Sequence, residues 1–205
     1  MTDAARAAAP TPTLIPLPPQ APKRHSRATR RIAEAVLRLC GWRITGEFPD
    51  LPKVVLIAAP HSSAWDAFWG LLTKLALGLH IEFMAKREAF WWPLGAALRF
   101  LGGFPVDRQA AGGVVEQLSA RMRRSATLWI VLAPEGTRRR VDQWKSGFWR
   151  VARDAGVPIC CAAFHYPEKR IHIGPVFTPS ADFNADHAAI RAWYRPYVGK
   201  HRDTL

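Results

Sequence analysis

Three short, nearly charge-free runs dominate this chain: VVLIAA at 54–59, TLWIVL at 127–132 and PICCAAF at 158–164. Runs of this length, rich in Val, Ile and Leu and separated by helix-like stretches, are the pattern of buried strands. Weaker strand patterns occur at 81–85, 104–106 and 171–177. Between them lie helical patterns at 63–79, 112–124, 146–155 and 188–195. Such alternation predicts an α/β fold: a single layered domain with a mostly parallel mixed sheet flanked by helices. A chain of 205 residues suits one such domain with a tail.

The domain is expected to span 27–205, with a motif-bearing core at about 50–175. Residues 1–26 are Ala- and Pro-rich through position 22. A segment of this kind buries too little surface to offset its ordering entropy and is expected to be a disordered tail. Residues 27–43 follow as a basic amphipathic helix. Ile32, Val36, Leu39 and Cys40 fall on one expected face, with Arg27, Arg30, Arg31, Glu34 and Arg38 largely opposite. That face either packs on the core or lies on a membrane surface.

The chain carries 29 Lys and Arg against 16 Asp and Glu, a net charge of +13, so it attracts polyanions. Nine Trp and ten Phe turn the expectation toward lipid, because amphipathic rings are favoured at membrane interfaces. No nucleic-acid motif is present, so the expected partner is an anionic membrane surface and not nucleic acid. Asp66, Lys74, Arg87 and Arg99 interrupt every apolar stretch before the ~18 residues a bilayer requires. The prolines near the N-terminus leave no room for a signal-peptide core. Cys40, Cys160 and Cys161 have neither zinc-ligand spacing nor an even count. A cytoplasmic location, peripheral on the inner face of the membrane, is the expectation.

The chemistry gathers where strands end. The first apolar run delivers His61 to the sheet edge, and Asp66 follows five residues later in PHSSAWD. A carboxylate in the first helical turn can reach back to such a histidine, fix its tautomer and leave the other ring nitrogen as a general base. No G-x-S-x-G elbow is present, which argues against a covalent serine mechanism. After the second run comes PEGTRRR at 134–140, where Gly136 permits a tight turn and Arg138 offers a planar fork for a phosphate. Lys145 then stands at the start of the next helix, where an anion is favoured. GGFPVDR at 102–108 again places a basic residue, Arg108, after a short strand.

These blocks, in this order, resemble the glycerophospholipid acyltransferases, the lysophosphatidic acid acyltransferase or PlsC-like superfamily. His61 and Asp66 resemble its H-x4-D block, GGFPVDR its second, PEGTR its third and VPICCAAF at 157–164 its fourth. The resemblance implies transfer of a fatty acyl group from acyl-CoA or acyl-carrier protein to the hydroxyl of a lysophospholipid such as 1-acyl-glycerol-3-phosphate. It implies His61 as general base, Asp66 as its orienter and Arg138 as the phosphate contact. Glu135, Gly136 and Thr137 would shape the turn, and Lys86 and Arg108 would line the same cleft. No metal and no cofactor beyond the acyl-donor co-substrate are implied. Members of the superfamily often begin with a hydrophobic anchor; the basic helix here implies reversible attachment instead. Two alternatives remain at this level: the same fold acylating a specialised acceptor, and a non-catalytic basic membrane-binding module.

Overall fold

The central strand shows how the chain is layered. In β2 (Lys53–Ala59) the residues Val54, Val55, Leu56 and Ile57 are all buried, so both faces of the strand are covered. The computed structural model describes residues 14–107 and 113–201. Within it β2 pairs in parallel with β5 (Leu128–Leu132) on one side and β6 (Ile159–His165) on the other. Val55, Ile57, Ile130 and Cys161 point into one apolar cluster, and Val54, Leu56, Trp129 and Cys160 into a second across the sheet. This alternation is the pleat acting on three neighbouring strands.

The remaining strands are β1 (Arg43–Gly46), β3 (Ile81–Lys86), β4 (Gly103–Val106) and β7 (Arg170–Phe177). The order across the sheet is β1-β7-β6-β2-β5-β3-β4. Among the paired strands of the described residues, only β6 and β7 run antiparallel. The helices are α1 (Arg27–Leu39), α2 (Ala64–Leu77), α3 (Leu94–Phe100), α4 (Gly113–Arg124), α5 (Gly147–Ala155) and α6 (Phe183–Tyr194). Crossovers through α2 and α3 step one way along the sheet, and those through α4 and α5 step back. Right-handed connection therefore sets α2 and α3 on one face and α4 and α5 on the other. α1 joins the α2 face through Ala33 and Leu37, and α6 joins the opposite face through Ile190 and Tyr194.

The α/β architecture is the one the sequence pattern predicts, with several differences. Residues 14–26 do not behave as a tail. Ala21 is buried, Leu14, Ile15 and Leu17 pack on the second cluster, Arg24 N donates to Gly78 O, and His80 N donates to Pro22 O. The aliphatic side chains among the prolines supply the burial that composition alone concealed; residues 1–13 lie outside the described residues. The inward face of α1 is also rotated from expectation. Ala33 and Leu37 are buried, whereas Ile32 is 66% and Leu39 86% exposed. Small Ala33 carries little weight in a hydrophobic count, yet it faces α2. Two short elements, β1 and α3, had no clear sequence pattern. α6 begins earlier than residue 188 because Asp182 caps the backbone N–H groups of Asn184 and Ala185.

Lys74 pins the α2 layer to the sheet edge. It is buried, and its Nζ donates to Ile81 O at 2.5 Å and to Leu101 O at 2.7 Å. Gly102, at φ +80°, makes room for this: a Cβ there would sit 2.6 Å from Ile81 O and 3.0 Å from Lys74 Nζ. Burial lowers the Lys74 pKa from 10.5 to about 8, with Glu82 opposing and Arg24 adding to the shift. Because the folded value lies below the unfolded one, the unfolded chain binds more protons between them, and stability rises with pH across that window. A shift of this size is worth up to about 3 kcal/mol. Urea denaturation at about pH 8 and about pH 10 should show a gain in the native chain that Lys74→Met lacks.

Candidate active site

The loop after β2 and the first turn of α2 form one hydrogen-bonded unit. Ser63 is the N-cap of α2, its Oγ accepting from Trp65 N at 3.2 Å, and Asp66 sits at the third helical position. The Asp66 carboxylate folds back so that Oδ2 accepts from Ser62 N and Ser63 N, each at 2.7 Å. The result is a capping box with an added donor. The same Oδ2 lies 3.4 Å from His61 Nδ1, with the Asp66 side chain fully buried and His61 25% exposed. The other oxygen, Oδ1, accepts from the Tyr166 hydroxyl at 2.5 Å. Burial by itself would raise the Asp66 pKa, but hydrogen bonds from His61, Tyr166 and Ser63 outweigh it and hold the carboxyl below its usual value. An anion is therefore maintained behind the imidazole.

Glu135 joins this unit to the loop after β5. It is 1% exposed, and its Oε1 accepts from His61 N at 2.9 Å. The loop after β5 thereby clasps the loop after β2 and sets the backbone of His61. Next to it, Gly136 adopts φ +67°, and a Cβ there would meet Lys145 Cδ at 3.0 Å and Nζ at 3.3 Å. The missing side chain is what lets Lys145 lie across the turn, while Lys145 N donates to Pro134 O. Thr137 Oγ1 accepts from Arg139 N. Arg138 is exposed and makes no hydrogen bond or ion pair with the described residues. The N-cap residue of α5, Ser146, makes no side-chain cap, so the N–H groups of that first turn remain open beside Lys145.

The fold thus brings His61, Asp66 and Glu135 into contact, and Gly136 with Lys145. Lys86 is exposed at the last position of β3, at the same carboxyl end of the sheet. Arg108 lies outside the described residues. Ser62 and Ser63 are buried and engaged, Ser62 Oγ accepting from His201 N and Ser63 Oγ from Trp65 N, so neither is poised as a nucleophile. Among the described residues no cluster of His, Cys, Asp and Glu is arranged to hold a metal ion.

Tyr166 is the residue that sequence reasoning missed. It stands 100 positions from Asp66, just past the end of β6, and nothing in the local pattern YPEKR signals the contact. On its side of the pair is a recess of about 270 Å³ walled by Trp42, Trp65, Trp69 and Tyr166, with Lys169 and Lys200 also lining it.

A family model described as Acyltransferase matches residues 44–165. The crystal structure of the 1-acyl-sn-glycerophosphate (LPA) acyltransferase PlsC from Thermotoga maritima superposes with a TM-score of 0.56 at 14% identity. That match covers 82% of this chain and 75% of the other. It shows a shared fold. No curated protein matches the sequence.

Tyr166→Phe should test the support of Asp66. A hydrogen bond to a charged group contributes about 1.5–3 kcal/mol. The folded Asp66 pKa lies below its unfolded value, so this stability is present above the unfolded value and is lost as pH falls through the folded one. Denaturation of the variant should show its deficit at neutral pH, and the deficit should shrink in acid; a pH-independent deficit would assign Tyr166 to packing alone.

Proposed function

Since this chain belongs to the acyltransferase family, we propose that it moves a fatty acyl group from a thioester donor, acyl-CoA or acyl-carrier protein, to the hydroxyl of a lysophospholipid such as 1-acyl-glycerol-3-phosphate. The observation that carries the reading is the His61–Asp66 pair, backed by Tyr166 and set beside a turn bearing Arg138 and Lys145. His61 Nε2 takes the proton of the acceptor hydroxyl as that oxygen attacks the thioester carbonyl. The C–O bond forms, the tetrahedral intermediate collapses, and the C–S bond breaks. The departing thiolate receives the proton back from the imidazolium. Asp66, held ionised, stabilises the imidazolium and keeps Nδ1 protonated so that Nε2 is the base.

No covalent acyl-enzyme enters this scheme. Arg138 holds the acceptor's phosphate, with Lys145 and the open N–H groups of α5 adding to the same positive field. Lys86 and Arg108 are assigned to the cleft as cations for the substrate or the developing oxyanion. Gly136 and Thr137 give the turn its shape, and Glu135 acts through the backbone of His61 and not on substrate.

The work is done at a membrane surface. No helix among the described residues is long and apolar enough to cross a bilayer. Yet Ile32, Leu39, Trp65, Phe68, Trp91, Trp92, Leu94 and Phe100 are exposed, and all belong to α1, α2, α3 or the turn before α3. Trp92, at 84% exposure, does not pack on the protein. An apolar, aromatic set on one helical layer of a chain with net charge +13 suits peripheral attachment to an anionic surface, on the cytoplasmic side.

His61→Ala should abolish acyl transfer from acyl-CoA to lysophosphatidic acid while the circular dichroism spectrum stays that of the native fold. Retained turnover would remove His61 as base. Arg138→Ala should raise the KM for the phosphate-bearing acceptor by about 10- to 100-fold, the range for a lost charge-assisted bond, with a smaller change in kcat. An unchanged acceptor KM would instead favour an acceptor without a phosphate at this position.

A further inference from the structure

At the end of α2 away from His61, the 14–26 segment closes a cavity of about 320 Å³. α2 has fourteen residues, so its length of about 20 Å separates this cavity from the histidine. The cavity has two kinds of wall. Leu14, Ile15, Leu17 and Leu77 make one side aliphatic. Lys23, Arg24 and Arg30 make the other cationic with His25 among them, and among the described residues no acidic one lines it.

These charges are not neutralised within the fold. Lys23, Arg24 and Arg30 have no ion pair among the described residues. The nearby acids are engaged elsewhere: Glu82 with Arg121 at 2.6 and 2.8 Å, and Glu34 with Arg38 at 2.9 Å. His25 Nε2 is buried without a hydrogen-bond partner. The field is legible in the titrating neighbours. Burial, then Lys74, His80 and Arg24, lowers the His25 pKa, and burial, then Lys74 and Arg24, lowers that of His80. The walls are also held in place. Arg24 N donates to Gly78 O, Lys23 bridges to Leu79, and Arg30 lies so close to Gly78 that a Cβ there would meet its Cδ at 2.8 Å.

We propose that this cavity is a second lipid site, which takes the phosphate headgroup of an anionic phospholipid from the bilayer among Lys23, Arg24, His25 and Arg30. Its first methylenes lie along Leu14, Ile15, Leu17 and Leu77. The size supports a bilayer source: ligand pockets begin at about 300 Å³, and one this small holds a headgroup and leaves the acyl chains outside. The position supports it too. The His25 ring contacts that of Phe100, and Phe100 and Ile32 belong to the exposed apolar layer. The site is independent of acyl transfer, since it requires no chemistry at His61.

The test is sedimentation of the full chain with vesicles of phosphatidylcholine alone and of phosphatidylcholine mixed with phosphatidylglycerol. Arg24→Gln/Arg30→Gln should weaken binding to the anionic vesicles about 30-fold, as expected for two interfacial cations. Arg124→Gln/Arg150→Gln removes the same charge from exposed positions on the opposite layer and should weaken it less than about threefold. Lys23→Gln, at an exposed residue, repeats the measurement with little risk to folding and should cost about fivefold. Soluble short-chain phosphatidylglycerol should compete, and sn-glycerol 3-phosphate should not. Equal losses from the two double variants would reduce the effect to overall charge and overturn the proposal. Competition by sn-glycerol 3-phosphate as strong as by the lipid would overturn it as well, leaving a site for free phosphate. Because the readout is binding, either outcome stands apart from the presence or absence of acyl transfer.

Discussion

The Asp66 carboxylate is the contact on which the rest of the site depends. It accepts the backbone N–H groups of Ser62 and Ser63 just before α2 and the Tyr166 hydroxyl from beyond β6, and it faces Nδ1 of His61. A buried carboxylate without such donors would be strongly destabilising. With them it is an ionised anchor that joins a helix start, a strand end and a distant loop. The spacing of five between His61 and Asp66 follows from this. Ser63, two residues after the histidine, is the N-cap, and the third helical position is the one from which a side chain reaches back to the cap. Helix capping and orientation of His61 are thus a single arrangement, and losing one would loosen the other.

What could be seen in the sequence follows from how local each signal is. Buried central strands are local: β2, β5 and β6 lie within a residue or two of their expected bounds because both of their faces must be apolar. The His61–Asp66 pairing was legible because both residues belong to one loop and one helical turn. Contacts set by the order of strands were not. Tyr166 reaches Asp66, and Glu135 reaches His61, only because β6 and β5 flank β2. No pattern within either segment encodes that neighbourhood. The face of α1 failed for another reason: hydrophobicity counts favour Ile32 and Leu39, whereas close packing on α2 favours the smaller Ala33 beside Leu37. Composition misled at 14–26 in the same way, since four aliphatic or alanyl side chains among prolines were enough to seat the segment.

The large apolar residues left over by that packing are distributed unevenly. One helical layer, α4 to α6, buries its apolar side chains against the first cluster. The other exposes Ile32 and Leu39 on α1, Trp65 and Phe68 on α2, and the aromatic residues around α3. Stability does not account for this asymmetry, because exposed Trp and Leu contribute little to a core. The membrane attachment proposed above would account for it, as amphipathic rings gain at the boundary between hydrocarbon and water.

α2 connects this surface to the chemistry. Its first turn carries Asp66, turned inward and fully buried, and Trp65 and Phe68, both about half exposed, which contact each other at the same end. Seating those rings in an interface would bring the mouth of the site to the depth at which a lysophospholipid presents the free hydroxyl of its glycerol. The acceptor would then reach His61 without leaving the membrane surface completely. The start of one helix therefore holds three things together: the ionised carboxylate beside His61, the backbone around the histidine and, in the proposed function, the orientation of the site toward its lipid. A change confined to the outward rings should leave the histidine geometry intact and alter only access to bilayer-held acceptor, which separates the interfacial role of α2 from its catalytic one.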